Sequence, residues 1–408
     1  MDSKLLKKLK NPDKKTCYSK LHRVINSNKE TDIIVPVLKN PDEFIKKLKV
    51  FNALNDNYEE SDVNIDKIIL FIVSLMRANK LTQLPFSRNF IAKIDEYYLS
   101  FLNFSKLSDI SKKTYFKKYE KVKKDIYNDE TLALIEILFS PKEFEQKINE
   151  YANKTKGRGS STLGNHWIQN TFAPYVALFK HNQQFERRNQ VMSNIWYQMY
   201  NEISKQIEQK YDANKPTERQ DLKIDLKDAI KVRETLKDGS DEKLLLSLLT
   251  TMPPLRSDYG NIYLLKTKKI PLNLKESNYY DSHNKEIILN KYKTAHKYGT
   301  LAVKLSDEAH KQLTLSLKMK PRKFLFTNKR NQPFIEQYPV YYEKEFNSFA
   351  NTLLRNVFKN EKISLTYFRH IFISGSEERL KNLPNSEKRK IAVLMGHSLM
   401  QQSKYKWI

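Results

Sequence analysis

The chain has 408 residues, 73 of them Lys or Arg and 47 Asp or Glu, so it carries a formal net charge of +26. That excess points to a polyanionic partner, nucleic acid first, held by salt-dependent contacts. The hydrophobic content of 39% excludes disorder throughout, the length accommodates two or three domains of roughly 100–200 residues, and the single cysteine, Cys17, excludes an intramolecular disulfide and a cysteine zinc site.

The N-terminal stretch MDSKLLKKLKNPDKK lacks the apolar core of a signal peptide, and no run reaches the roughly 18 apolar residues of a membrane span. The longest apolar run, IILFIVSLM at 68–76, reads as a core helix. With the lone cysteine, these features predict an intracellular protein at DNA, with no membrane partner.

From 41 to about 206, apolar residues recur at helical spacing, as in Phe44, Leu48 and Phe51 or Ile195, Met199 and Ile203, and this half reads as all helix. LKNPDEFIKKLKVFN at 38 and LFSPKEFEQKINEYA at 138 share a Pro, a Glu-Phe pair, a Lys and an apolar spacing. They read as two similar helix starts with Pro in the first turn rather than as a duplication. The polar, Pro-containing stretch 210–223 reads as the linker that follows this helical half.

Beyond the linker, a helix over 240–250 runs into Pro253 and Pro254. IYLLKTKKIPLNL and EIILNKYKTAHKYGTLAVKLS alternate with polar breaks as two or three strands. Helices follow at 306–318, 340–358, 365–379 and 386–395. The predicted fold is mainly α: a helical N-terminal part, and an α+β part over 224–408 with a small antiparallel sheet. Charge is uneven along it, since 251–408 holds 29 basic and 13 acidic residues, a net +16, whereas 51–150 holds 15 and 16, a net −1.

No P-loop is present, because KGRGSS at 156–161 has neither its spacing nor its Lys-Ser/Thr ending; it reads as a basic turn. Eight histidines without a Cys partner or an H-E-x-x-H helix form no metal-ligand grouping, and no cofactor is expected. Three C-terminal segments stand apart: PPLRSDYGNI at 253–262, SLTYFRHIF at 364–372 and LMGHSLMQQSKYKWI at 394–408. They supply Arg256 after a Pro-Pro break, Arg369 within a short helix, His397 after a helix-ending Gly396, and Tyr405 eight residues later.

An Arg, then R-H, then G-H-S, then Tyr, in this order, resembles the signature of the tyrosine recombinase (phage integrase) family. The Pro-Pro-containing Arg segment with M-G-H-S and a close following Tyr is similar to the branch found in large eukaryotic DNA viruses, virophages and related mobile elements. The resemblance implies a core-binding DNA-clamp domain at 128–209, a catalytic domain at 224–408, duplex DNA as partner, and a homo-oligomer, dimer to tetramer, on that DNA; it leaves 1–127 as a helical N-terminal extension or arm-like module. It implies metal-free transesterification, with Tyr405 attacking the scissile phosphate to leave a 3′-phosphotyrosyl link and a free 5′-hydroxyl. Arg256 and Arg369 would neutralise the charge gained by the nonbridging oxygens, and His397 would hydrogen-bond the same phosphate. A hairpin lysine would protonate the leaving oxygen; Lys293 is the candidate, with Lys291 and Lys297 as rivals.

Two departures stand out. Thr366 occupies the position, three residues before Arg369, where the family usually has His or Lys, and a threonine is a poor proton acceptor. Only Lys406, Trp407 and Ile408 follow Tyr405. A type IB topoisomerase remains the alternative within the same chemistry, and a catalytically silent DNA-binding protein the alternative outside it.

Overall fold

The computed structural model describes residues 2–402 apart from 11–12, 28–31, 55–63, 106, 157–162, 213–223, 266–275, 338–341, 377–381 and 400–401. The basic turn at 156–161 and most of the expected linker fall outside the described residues, as do Tyr405 and the residues after it. The chain divides into two compact units between Gln209 and Lys210. Each has its own hydrophobic core. Among the described residues no helix is long and apolar enough to cross a membrane.

The first unit is helical throughout. Its helices are α1 (Asp2–Lys8), α2 (Lys14–Ile25), α3 (Ile34–Lys39), α4 (Pro41–Leu54), α5 (Ile65–Ala78), α6 (Pro85–Leu99) and α7 (Asp109–Lys121), then α8 (Leu134–Leu138), α9 (Pro141–Lys154), α10 (Asn165–Lys180), α11 (Gln183–Arg188) and α12 (Gln190–Asp212). The residues before and after position 127 contribute to one hydrophobic cluster, running from Leu9 to Met199. Two buried carboxylates tie the early helices to the late ones. Asp66 in α5 accepts from Tyr98 Oη, Arg188 Nε and Asn189 Nδ2 at 2.8–2.9 Å, and Asp95 in α6 pairs with Lys123 and accepts from the amide of Leu134. Charges removed from water this completely are retained because each finds such partners.

The similarity between residues 38 and 138 reaches further than sequence. Both α4 and α9 begin at a Pro, span 14 residues and follow a short helix, and their first ten residues share one order of burial, with Pro41, Phe44 and Leu48 matching Pro141, Phe144 and Ile148. The helices that follow them begin at Ile65 and Asn165, again one hundred residues apart.

The second unit packs helices around a four-stranded sheet. In chain order these are α13 (Leu226–Thr235), α14 (Asp241–Thr250), β1 (Tyr263–Leu265), β2 (Tyr279–Asp281), β3 (Glu286–Leu289), α15 (Ala295–Tyr298) and β4 (Leu301–Lys304), then α16 (Asp307–Met319), α17 (Phe334–Gln337), α18 (Tyr342–Phe358), α19 (Leu365–Gly375) and α20 (Asn385–Leu394). The fold is therefore mainly α with a small sheet. The sheet differs from expectation at one edge: β2–β3 and β3–β4 are antiparallel, but β1 pairs with β2 in parallel. Thirteen residues, 266–278, separate β1 from β2, which meets the dozen or so that a parallel connection needs, whereas a tight hairpin would have forced the opposite sense.

Ser240, Ser306 and Ser364 each accept a backbone N–H in the first turn of α14, α16 and α19, so these starts follow directly from sequence. Leu244, Leu245, Leu248 and Leu249 of α14 fill the middle of the core, and Leu365, Tyr367, Phe368 and Ile371 of α19 join the same cluster.

Candidate active site

The segment after α14 is built to present Arg256. Pro253 and Pro254 bar the helix from continuing, and the buried Tyr259 ring holds the resulting bend. Its hydroxyl accepts from the amide of Leu255 at 3.2 Å and lies 3.5 Å from the carbonyl of Leu248. A short 3₁₀ turn, Ser257–Asn261, follows Arg256 and packs closely on α18. A Cβ at Gly260 would stand 2.5 Å from that of Phe346, so only glycine fits there.

Arg369 enters from α19 and is almost fully buried, at 2% exposure. Its Nη1 donates to the carbonyl of Pro254 at 2.9 Å, and its Nη2 donates to the carbonyl of Met395 at 2.7 Å and to His397 Nδ1 at 3.0 Å. One guanidinium thus joins the turn before Arg256 to the turn carrying His397. Arg369 is a structural clasp as well as a buried charge.

His397 is placed by the end of α20. Gly396 adopts φ +71°, donates its amide to the carbonyl of Val393, and lets the amide of His397 reach back to Ala392. This paired closure needs a left-handed residue just past the helix, which is why glycine stands there. A guanidinium only donates, so His397 Nδ1 must accept and the imidazole proton sits on Nε2. Burial first, then the charges of Arg369 and Arg256, push the imidazole down to about 3. The ring is neutral at physiological pH.

A small open cleft brings these segments together. Its lining includes Arg256, Asp258, Tyr292, Lys293, Thr294 and Gly396. Lys293 lies on the stretch between β3 and β4, which is tied at one end by the Asn278 side chain to the backbone of Lys291. At the other end, Thr294 Oγ1 donates to the carbonyl of Gly396 at 3.4 Å. The rival lysines sit differently: Lys297 lays its ammonium over the Tyr298 ring at 5.2 Å, and the side chain of Lys291 is exposed outside the cleft lining. Thr366, one turn before Arg369 on α19, is exposed whereas Arg369 is buried. The chain after His397 is described only as far as Gln402, a buried residue whose amide donates to the carbonyl of Ser398 at 2.9 Å.

Asp258 was not expected from sequence. Burial first, and the charge of Glu343 next, raise its carboxyl to about 6, while Arg256 and Arg369 pull the other way. Its position two residues after Arg256 was the available signal, but a lone Asp in a turn carries no mark of the burial that makes it unusual. The hydroxyl of Thr294 and the carbonyls of Pro254 and Met395 were equally hidden. Their roles arise from partners about 100, 115 and 26 residues away.

Comparison with known proteins adds little to this geometry. No protein-family model matches the chain, and no curated protein matches it. A solved structure described as a crystal structure of XerA recombinase aligns with 77% of this chain and 93% of its own length, at 14% identity and a TM-score of 0.31. So loose a superposition carries no argument, and what the site can do rests on this chain's own residues.

Proposed function

We propose that the chain is a DNA strand transesterase of the tyrosine recombinase kind, breaking and rejoining duplex DNA as a homo-oligomer to integrate or resolve a viral or mobile element. One observation supports this reading above the others. Arg256, Lys293 and Gly396 border one cleft, and Arg369 clasps the two segments that carry Arg256 and His397. Arg256 and Lys293 come from stretches far apart in sequence yet face the same cleft, and that grouping supports a phosphate as the group acted on.

In this reading the phenol oxygen of Tyr405 attacks the scissile phosphorus. The bond from phosphorus to the 5′-oxygen breaks, leaving a 3′-phosphotyrosyl ester and a 5′-hydroxyl. Arg256 supplies a permanent charge and a fork of donors to the nonbridging oxygens as they gain negative charge. Neutral His397 donates its Nε2–H to the same phosphate, and Lys293 gives its proton to the leaving oxygen. Thr366 supplies no base, so the phenol proton passes to solvent.

Incubating the full chain with a pool of nicked duplexes of random sequence tests the reading, because strand loss after cleavage traps the adduct. A detergent-stable protein–DNA adduct is expected, and it vanishes in Tyr405→Phe. No adduct with the wild type, or an equal one with Tyr405→Phe, removes the transesterase. Lys293→Ala lowers cleavage by about 10²–10⁴-fold and regains it when sulfur replaces the leaving oxygen, because a thiolate departs without a proton. Without that rescue the acid lies elsewhere. Plasmid relaxation without strand exchange turns the reading to a topoisomerase.

A further inference from the structure

The second unit holds most of the excess charge, yet one segment of the first breaks the pattern of its surroundings. Residues 112–124 contain seven lysines and one acidic residue, Glu120, a net +6. The other residues of 51–150 hold 8 basic against 15 acidic, a net −7. Charge has been concentrated on α7 and on the five-residue π-helical turn, Val122–Ile126, that continues it.

The structure sorts the seven lysines into two groups. Lys112 is mostly buried, its side chain 19% exposed, Lys118 donates to the carbonyl of Asn170, and Lys123 turns inward to Asp95, so these three serve the fold. Lys113, Lys117, Lys121 and Lys124 are exposed, and among the described residues they make one ion pair, Lys121 to Asp125 at 3.9 Å, with the Lys121 side chain 58% exposed. Positions 113, 117 and 121 are successive i, i+4 neighbours and form a row about 12 Å long. Phe116, 38% exposed, interrupts the row with an aromatic ring.

Like charges four residues apart weaken a helix. Four cations held outward on one short element repel one another, and an anionic partner laid along them relieves that repulsion. We infer that the exposed face of α7 and its π-helical turn is a second DNA-binding surface, contacting the phosphate backbone of duplex DNA through Lys113, Lys117, Lys121 and Lys124. The inference takes its partner from the function proposed above but does not depend on the chemistry at Tyr405. Such contacts position the duplex without reading its sequence.

The test compares the full chain with the variant K113Q/K117Q/K121Q/K124Q on a duplex of fixed length across a range of salt. Each lysine in contact contributes about 1 to the slope of log affinity against log salt. The variant is expected to lose about 2–4 from that slope and to bind at least about tenfold more weakly at ~0.1 M salt. All four side chains are exposed, so the variant folds, which its circular dichroism and melting temperature verify. A control, K46Q/K49Q/K142Q/K154Q, removes four exposed charges from the same unit and is expected to change the slope by less than 1. An unchanged slope in the α7 variant, or an equal loss in the control, overturns the inference. The adduct assay at saturating DNA separates the two proposals. A normal adduct with an unchanged slope sinks the α7 surface alone, whereas a lowered slope with no wild-type adduct sinks the transesterase alone.

Discussion

His397 and Asp258 both feel the charges of Arg256 and Arg369, yet their ionisation is bent in ways that make opposite claims on stability. His397 is neutral in the folded chain down to about pH 3, whereas an unfolded histidine takes up its proton near pH ~6.5. The unfolded state therefore binds more protons through that window, and stability is lost as pH falls below about 6.5. Asp258, raised to about 6, behaves the other way. The folded state keeps its proton from the usual carboxylate range up to about 6, so its contribution is lost as pH rises through that interval. Denaturant unfolding from pH 4 to 8 reads both. His397→Gln is expected to lose less stability on acidification than the wild type, and Asp258→Asn to lose less on going from pH 4 to 7. A slope unchanged in either variant refutes the corresponding assignment. Neutral His397 also gives no inflection to the pH dependence of cleavage between 5 and 8.

At the scale of elements, the closure of α20 is the sharpest case. In Gly396→Ala a Cβ would meet only Thr294 Oγ1, at 3.5 Å, an ordinary contact. The penalty is therefore the backbone's, about 1 kcal/mol for a non-glycine residue held at positive φ. Calorimetry should show a modest loss of stability and the adduct assay a larger loss of activity, since His397 is set by that turn. A loss of activity no greater than the loss of stability would mean that the turn does not position the ring. Elements with local signals were legible in the sequence: serine-capped α14, α16 and α19, proline-started α4 and α9, and the glycine-ended α20. The parallel β1–β2 edge was not, because strand sense depends on where a 13-residue connection leads. Nor was Arg369's grip on two carbonyls, because carbonyls have no signature in sequence. The residues of the candidate site were readable as types and order, and their partners only in three dimensions.

For the whole molecule, the division between Gln209 and Lys210 separates two hydrophobic clusters and splits the charge into a net +10 on residues 1–209 and +16 on 210–408. Each unit buries its own apolar surface, so fragments 1–209 and 210–408 are expected to unfold cooperatively when expressed separately, and each to hold DNA in a salt-dependent way. A fragment without a cooperative transition would show that its core is incomplete. Within the first unit, α4 and α9 share an interior pattern one hundred residues apart, but their outward positions differ: Lys46 and Lys49 stand where Gln146 and Asn149 stand in the other. Interior and exterior have thus followed separate rules in these two helices. Exchanging their outward residues while leaving Pro41, Phe44, Leu48 and their counterparts in place would move charge from one site to another on an unaltered frame, so the surface of this unit can be rewritten without disturbing its core.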